Sequence, residues 1–213
     1  MKTRQELIEE QLLLTTGYTH YNGWHNGRTD YGYHSFNIDD IQIRGQRIPK
    51  QRLDKMKNFI TFEDKNVIDF GCNVGGMLLH IPEIKNGLGF DYDKKCIDAA
   101  NNIKLILNNN NTNFIQFDLD KGDYNILKDL ITFKPDIIFL LAVGSWVSNI
   151  EKLFDFCIDY NCDIILETNN SKYEKHHLKY FSEKGYKNIL ISNTSDDDIR
   201  KENYGRHTYL IQK

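Results

Sequence analysis

Two groups of residues have the types and spacing to do chemistry. The first is "DFGCNVGG", which begins at Asp69. It reads D-x-G-x-N-x-G and follows a short apolar run, "NVIDF", so it is a strand, a glycine turn and the start of a helix. Glycines there let the chain turn sharply and let a ligand approach the backbone. Asn73 stands at the middle position, where asparagine tolerates the left-handed conformation that glycine would take. Twenty residues after Gly71, Asp91 closes the next apolar run. A carboxylate at that place accepts hydrogen bonds from ribose hydroxyls in doubly wound folds. The second group is "GYTHYNGWHNGRTDYGYHSF", residues 17 to 36, with six aromatics, three histidines and four glycines. Tyrosine and tryptophan offer apolar faces with polar tips, and histidine titrates near neutral pH. Such a stretch suits a lid over a binding site. It also suits an irregular segment that packs its aromatics on the domain.

The elements that must position these residues begin at about residue 66. The apolar runs "NVIDF", "GLGFD", "NFIQFD", "DIIFLLAV" and "CDIILET" alternate with helical stretches such as "KKCIDAANNIKLILN" and "SNIEKLFDFCIDY". That alternation means a parallel sheet covered on both faces. "KNILIS" and "RHTYLIQ" are joined by the polar loop "NTSDDDIRKENYG" with no helix between them, so the last pair is antiparallel. Upstream, "TRQELIEEQLLL" reads as a short helix capped by Thr3, with Glu6 completing a capping box. "IQIRGQRIPKQRLDKMKNFI" reads as an extended piece, a turn at Pro49 and a helix to about Phe59. The organisation is an N-terminal extension, 1–60, before one α/β domain, 61–213.

Composition excludes some functions. The 213 residues carry a net charge of −3, which gives no general attraction to nucleic acid or acidic membranes. Arg44, Arg47, Lys50, Arg52, Lys55 and Lys57 lie close together. They form either a solvated helix face or a local site for a phosphate or carboxylate. The four cysteines, Cys72, Cys96, Cys157 and Cys162, form no CxxC pair and have no histidine at finger spacing. Buried free thiols and no bound metal are expected. With no apolar run of spanning length and no signal peptide, a cytoplasmic protein is expected.

The motifs together resemble those of class I S-adenosylmethionine-dependent methyltransferases, over residues 66 to 213. "VIDFGCNVGG" is similar to their first motif, "GFDYD" to their second-strand acid, "FIQFDLD" to their third-strand adenine contact and "PDIIFLLAVGSWV" to their fourth-strand motif. The resemblance implies a Rossmann-like seven-stranded sheet with its last strand antiparallel, and S-adenosylmethionine as cofactor. It implies that the backbone from Gly71 through Asn73 to Gly75 cradles the amino-acid part, with Asp69 orienting the loop or meeting the amino group through water. Asp91 would hold the ribose, Tyr92 would pack on the adenine, Asp118 would accept from its amino group, and Leu119 would offer a backbone N–H. Asp120 competes with Asp118, and spacing favours Asp118. Ala142 would approach the methionine part. "YHSF", "IRGQR" and "RL" also resemble the segment before the domain in small bacterial relatives of tRNA wobble-uridine-modification enzymes.

The acceptor side is read from what lies over the strand ends. The expected acceptor is a small polar molecule, such as a sugar, a nucleotide-linked sugar or a phosphorylated metabolite. RNA methylation and a non-catalytic cofactor-binding subunit are the alternatives. His34 is the first choice of general base for a hydroxyl acceptor, with His25 or a lid tyrosine behind it. Glu167 ends the fifth strand and is either a second catalytic group or a solvated acid. Tyr33, Arg47, Trp146 and Arg206 are expected to contact the acceptor. His176 and His177 are expected at the surface, and His80 in a structural role.

Overall fold

The computed structural model describes residues 2–15, 32–169 and 171–213. Most of the aromatic–glycine stretch, including His20, Trp24 and His25, lies outside the described residues. Helix α1, Arg4–Leu13, starts at the expected capping box: Thr3 accepts from the Glu6 N–H, and Glu6 accepts from the Thr3 N–H at 2.7 Å. Strands β1, Phe36–Ile38, and β2, Ile41–Ile43, form an antiparallel hairpin with Asp39 left-handed at its turn. Pro49 then opens helix α2, Pro49–Met56, whose missing N–H suits that first turn.

The main sheet follows the alternation in the sequence. Its strands are β3, Asn66–Phe70; β4, Asn86–Asp91; β5, Thr112–Gln116; β6, Ile137–Leu141; β7, Asp163–Glu167; β8, Lys187–Ser192; and β9, Thr208–Gln212. The connecting helices are α3, Gly76–Leu79; α4, Lys94–Ile106; α5, Tyr124–Leu130; α6, Ile150–Ile158; and α7, Ser171–Glu183. The strand order is β5-β4-β3-β6-β7-β9-β8, with β9 antiparallel to both neighbours. This is the expected seven-stranded sheet with its last strand reversed. The helix expected after the glycine turn, "GGMLLHI", is only the single turn of α3.

Side chains alternate across the pleat, so each strand feeds two cores. Val67, Phe139, Ile165 and Leu210 face one side; Ile68, Ile138, Ile164 and Ile211 face the other. Ile8, Leu12, Phe36, Ile41, Leu53 and Met56 join the first of these cores. The N-terminal elements are therefore packed into the same apolar interior as the sheet, although the sequence reads as an extension followed by a domain. No described helix is long and apolar enough to cross a membrane.

Candidate active site

The strand order reverses between β3 and β6, and in open α/β sheets ligands bind outside the strand carboxyl ends at such a point. A cavity of about 350 Å³ lies there. Gly71, Asn73, Asp91, Tyr92, Asp118, Leu119 and Ala142 all line it. The loop after β3 takes the left-handed conformation at Gly71 (φ 79°), Asn73 (φ 51°) and Gly75 (φ 74°). Asn73 thus adopts the conformation for which asparagine was read as a stand-in for glycine. A Cβ added at Gly71 would sit 2.4 Å from Val143 Cγ1, so the loop also needs this glycine for close approach to the segment after β6. Gly71→Val is expected to abolish measurable S-adenosylmethionine binding in calorimetry, because left-handed strain adds to that collision.

Asp91 organises the loop from the second strand. Its Oδ2 accepts from the Asn73 N–H at 2.9 Å and its Oδ1 from the Asp93 N–H at 3.0 Å. Burial pushes its carboxyl up to about 6, against the pull of those N–H groups. Asp118 accepts from the N–H groups of Asp120 and Lys121 through Oδ1 alone. Asp120 instead accepts from the N–H and hydroxyl of Ser148 with its two oxygens. Of the two competing acids, Asp118 is the one with an oxygen uncommitted to these bonds.

Asp69 and Gly75 do not line the cavity. Asp69 is buried behind it, and its Oδ2 has no hydrogen-bond partner. Burial raises its carboxyl to about 7, with Asp91 adding to the rise and Arg52 opposing it. A carboxyl raised on folding contributes stability at low pH that is lost as pH rises through its folded value. Asp69's contribution is therefore expected to be lost between about pH 4 and pH 7, so the parent's melting temperature should fall relative to that of Asp69→Asn over this range. Equal slopes in thermal melts of the two proteins would contradict this.

Three residues expected on the acceptor side, Glu167, Arg47 and His34, lie buried and off the cavity wall. Glu167 is 1% exposed and carries two buried ion pairs: Oε1 and Oε2 accept from Arg47 at 3.0 and 2.9 Å, and Oε2 from Arg52 at 2.6 Å. Burial alone would push its carboxyl up, but the two guanidiniums outweigh that and hold it at about 2. It is not a solvated acid; it is the counter-ion of two buried arginines and does not line the cavity. Arg47 is fully buried, with Nε donating to Asp197 at 2.7 Å, so the anions it meets are the protein's own. His34 is buried and off the cavity wall, its ring against Gly76, where an added Cβ would lie 2.5 Å from Cγ. Burial, with Arg52, His80 and Arg47 nearby, drives its pKa well below the ordinary value. It is a neutral packing group in this arrangement.

The basic run thus divides in a way neither reading anticipated. Arg47 and Arg52 point inward to carboxylates, while Lys50 and Lys57 lie near the surface in ion pairs with Asp54 and Glu83. His177 is also buried, edge-on to Phe154, and not at the surface, whereas His176 is exposed. His80 is structural as read: one ring nitrogen meets the Gly76 carbonyl and the other accepts from the Asn37 N–H. All four cysteines are free. Among the described residues, no group of three or more His, Cys, Asp or Glu side chains is arranged to hold a metal ion.

Tyr33, Trp146 and Arg206 do line the cavity, and Trp146 is 67% exposed. Sequence reasoning missed Gln46, Asn169, Arg200 and Asn203, which line it too. Asn169 Nδ2 donates to the Ala142 carbonyl at 2.7 Å, and its Oδ1 accepts from the Ser145 N–H. That clamp holds Ala142 at φ 61°, a strained value for a residue with a Cβ. For Arg200 and Asn203 the available signal was position: the polar loop "NTSDDDIRKENYG" leads into a reversed strand, so its end must emerge at the ligand edge.

No protein-family model and no curated protein sequence matches the chain. Solved structures with a similar fold include an S-adenosylmethionine-dependent methyltransferase from Aquifex aeolicus (TM-score 0.57, 13% identity, covering 79% of this chain and 91% of that one). Another is a precorrin-6y C5,15-methyltransferase from Geobacter metallireducens (TM-score 0.55, 10% identity, 84% and 92% covered). A third is WbdD, solved with a kinase inhibitor (TM-score 0.62, 17% identity), of which the match covers 42% and which matches 79% of this chain. The chain has the class I S-adenosylmethionine-dependent methyltransferase fold.

Proposed function

We propose that this protein is an S-adenosylmethionine-dependent methyltransferase acting on a small polar acceptor. One observation carries the reading. A cavity at the strand carboxyl ends is walled at one side by a left-handed loop and Asp91, and extends past Ala142 to a polar wall of Asn169, Asn203 and Arg206. The residues fit the cofactor: the Gly71–Gly75 loop brings backbone to the wall, Asp91 offers a carboxylate for ribose hydroxyls, and Asp118 has an acceptor for an adenine amino group. Tyr92, half exposed, provides a ring face, and Leu119 an apolar edge.

When bound, S-adenosylmethionine supplies a methyl group already activated by a sulfonium. The protein's share is to orient donor and acceptor in line and to exclude water. Ala142 and Val143 form the wall between the two ends, and Trp146 stands at the rim. With His34 and Glu167 withdrawn, the β9 end of the wall carries amides and guanidiniums and no described carboxylate. Such a wall positions an acceptor that is nucleophilic without strong deprotonation. Calorimetry with S-adenosylmethionine and S-adenosylhomocysteine tests the reading. Binding of both, followed by methyl transfer to a member of a small-metabolite panel, is the expected result; absence of binding would reject it.

A further inference from the structure

The cavity is electrically polarised along the sheet. Its only described carboxylates, Asp91, Asp118 and Asp120, come from the end of β4 and the segment after β5. Its only described cations, Arg200 and Arg206, come from the segment before β9. Four strand spacings separate β4 from β9, about 19 Å at 4.8 Å each. Arg206 is therefore beyond the reach of a group held by Asp91, and it faces the acceptor half.

Arg206 is fixed in place and unspent. Its backbone N–H donates to the Asn203 carbonyl at 3.0 Å, and its carbonyl accepts from the Ser195 hydroxyl at 3.0 Å. Among the described residues its guanidinium makes no ion pair, and its Nε is buried without a hydrogen-bond partner. The nearby acid, Glu167, is already held by Arg47 and Arg52. The Nε is closed off from the cavity, but Arg206 is only partly buried and lines it, so the guanidinium would meet an acceptor there through its terminal N–H groups.

The surrounding wall is built to stay put. Asp198, 1% exposed, lies behind it. Its Oδ2 accepts from Gln46 Nε2 at 3.0 Å and Asn203 Nδ2 at 2.7 Å, and its Oδ1 accepts from the Arg200 N–H at 2.8 Å. One buried carboxylate thus sets three residues of the cavity wall beside Arg206. A surface arginine on a mobile loop would have no such support.

We propose that the acceptor carries an anionic group, a carboxylate or a phosphate, and that Arg206 receives it at the β9 end of the cavity. Asn203 adds a polar contact, and Asp198 acts as the positioning residue behind them. This rests on the methyltransferase reading above. A guanidinium presents paired N–H groups that match the oxygens of either anion.

The test uses the full chain saturated with S-adenosylhomocysteine. Inorganic phosphate and malonate are titrated in by calorimetry, with malonamide as the uncharged control. At least one anion is expected to bind while malonamide does not. Stronger phosphate binding assigns a phosphorylated acceptor, and stronger malonate binding a carboxylic acid. Arg206→Gln is expected to weaken that anion by about 10- to 100-fold, with S-adenosylhomocysteine affinity unchanged, and Arg206→Lys to fall between. Should Arg206→Gln not fold, the comparison of malonate with malonamide on the unaltered protein decides alone. Bound S-adenosylhomocysteine with no anion binding, or equal anion affinity in a folded Arg206→Gln, would overturn the proposal. Failure of S-adenosylhomocysteine itself to bind would instead strike the underlying methyltransferase reading, and the anion site with it.

Discussion

Glu167→Ala is expected to lower the unfolding free energy by about 3–5 kcal/mol, the cost of breaking a buried ion pair by removing one partner. The reason is desolvation. Arg47 and Arg52 are withdrawn from water, and Glu167 supplies three of their hydrogen bonds. Asp197 remains for Arg47, at 2.7 Å, but its only approach to Arg52 is 3.8 Å. One guanidinium would then be buried with no close counter-charge. Denaturant unfolding of the variant measures the effect, and Glu167→Gln should lose less because it keeps an acceptor. A variant as stable as the parent would reopen a catalytic role for this acid. The pH dependence has a definite sign. A carboxylate held at about 2 in the folded state contributes stability above its unfolded value near 4.5, and that contribution is lost as pH falls toward 2. Melts between pH 5 and pH 2 should therefore steepen in the parent relative to Glu167→Gln.

Asp91→Ala should weaken S-adenosylhomocysteine binding by about 10- to 150-fold, the equivalent of about 1.5–3 kcal/mol for a charged hydrogen bond. Two effects combine. The ribose acceptor is lost, and so is the anchor of the Asn73 N–H, which shapes the Gly71–Gly75 loop. Asp91→Asn keeps one oxygen and should fall between. Because burial raises this carboxyl to about 6, affinity in the parent should strengthen as pH rises from 5 to 7, and Asp91→Asn should show less of that rise. Calorimetry across this range reads both. Affinity within twofold of the parent in a folded Asp91→Ala would remove the ribose assignment.

The glycine loop and its acid were legible because their signals are local. A strand, a turn with positive-φ residues and an acid twenty residues later lie within one βαβ unit, where chain geometry leaves few alternatives. The rest of the cavity wall was not. His34 was read as a base because histidine titrates near neutral pH; its neighbours Gly76, Arg47 and Arg52 remove it from the wall and lower its pKa. Arg47 was read as an anion contact, and it is one, but the anions are Glu167 and Asp197, 120 and 150 residues away in sequence.

By itself the sequence determined the alternation of strands and helices, the reversed final strand, the capped N-terminal helix and the loop from Gly71 to Gly75. Each follows from side-chain period, capping chemistry or backbone sterics, which act over a few residues. Tertiary structure alone decided which charges are spent inside and which remain for a ligand. Arg47, Arg52 and Arg206 are alike as residues, yet the first two are consumed by Glu167 and Asp197, and the third is left at the wall. That outcome depends on long-range pairing in a medium where an unpaired charge is costly, and no local pattern encodes which partner arrives.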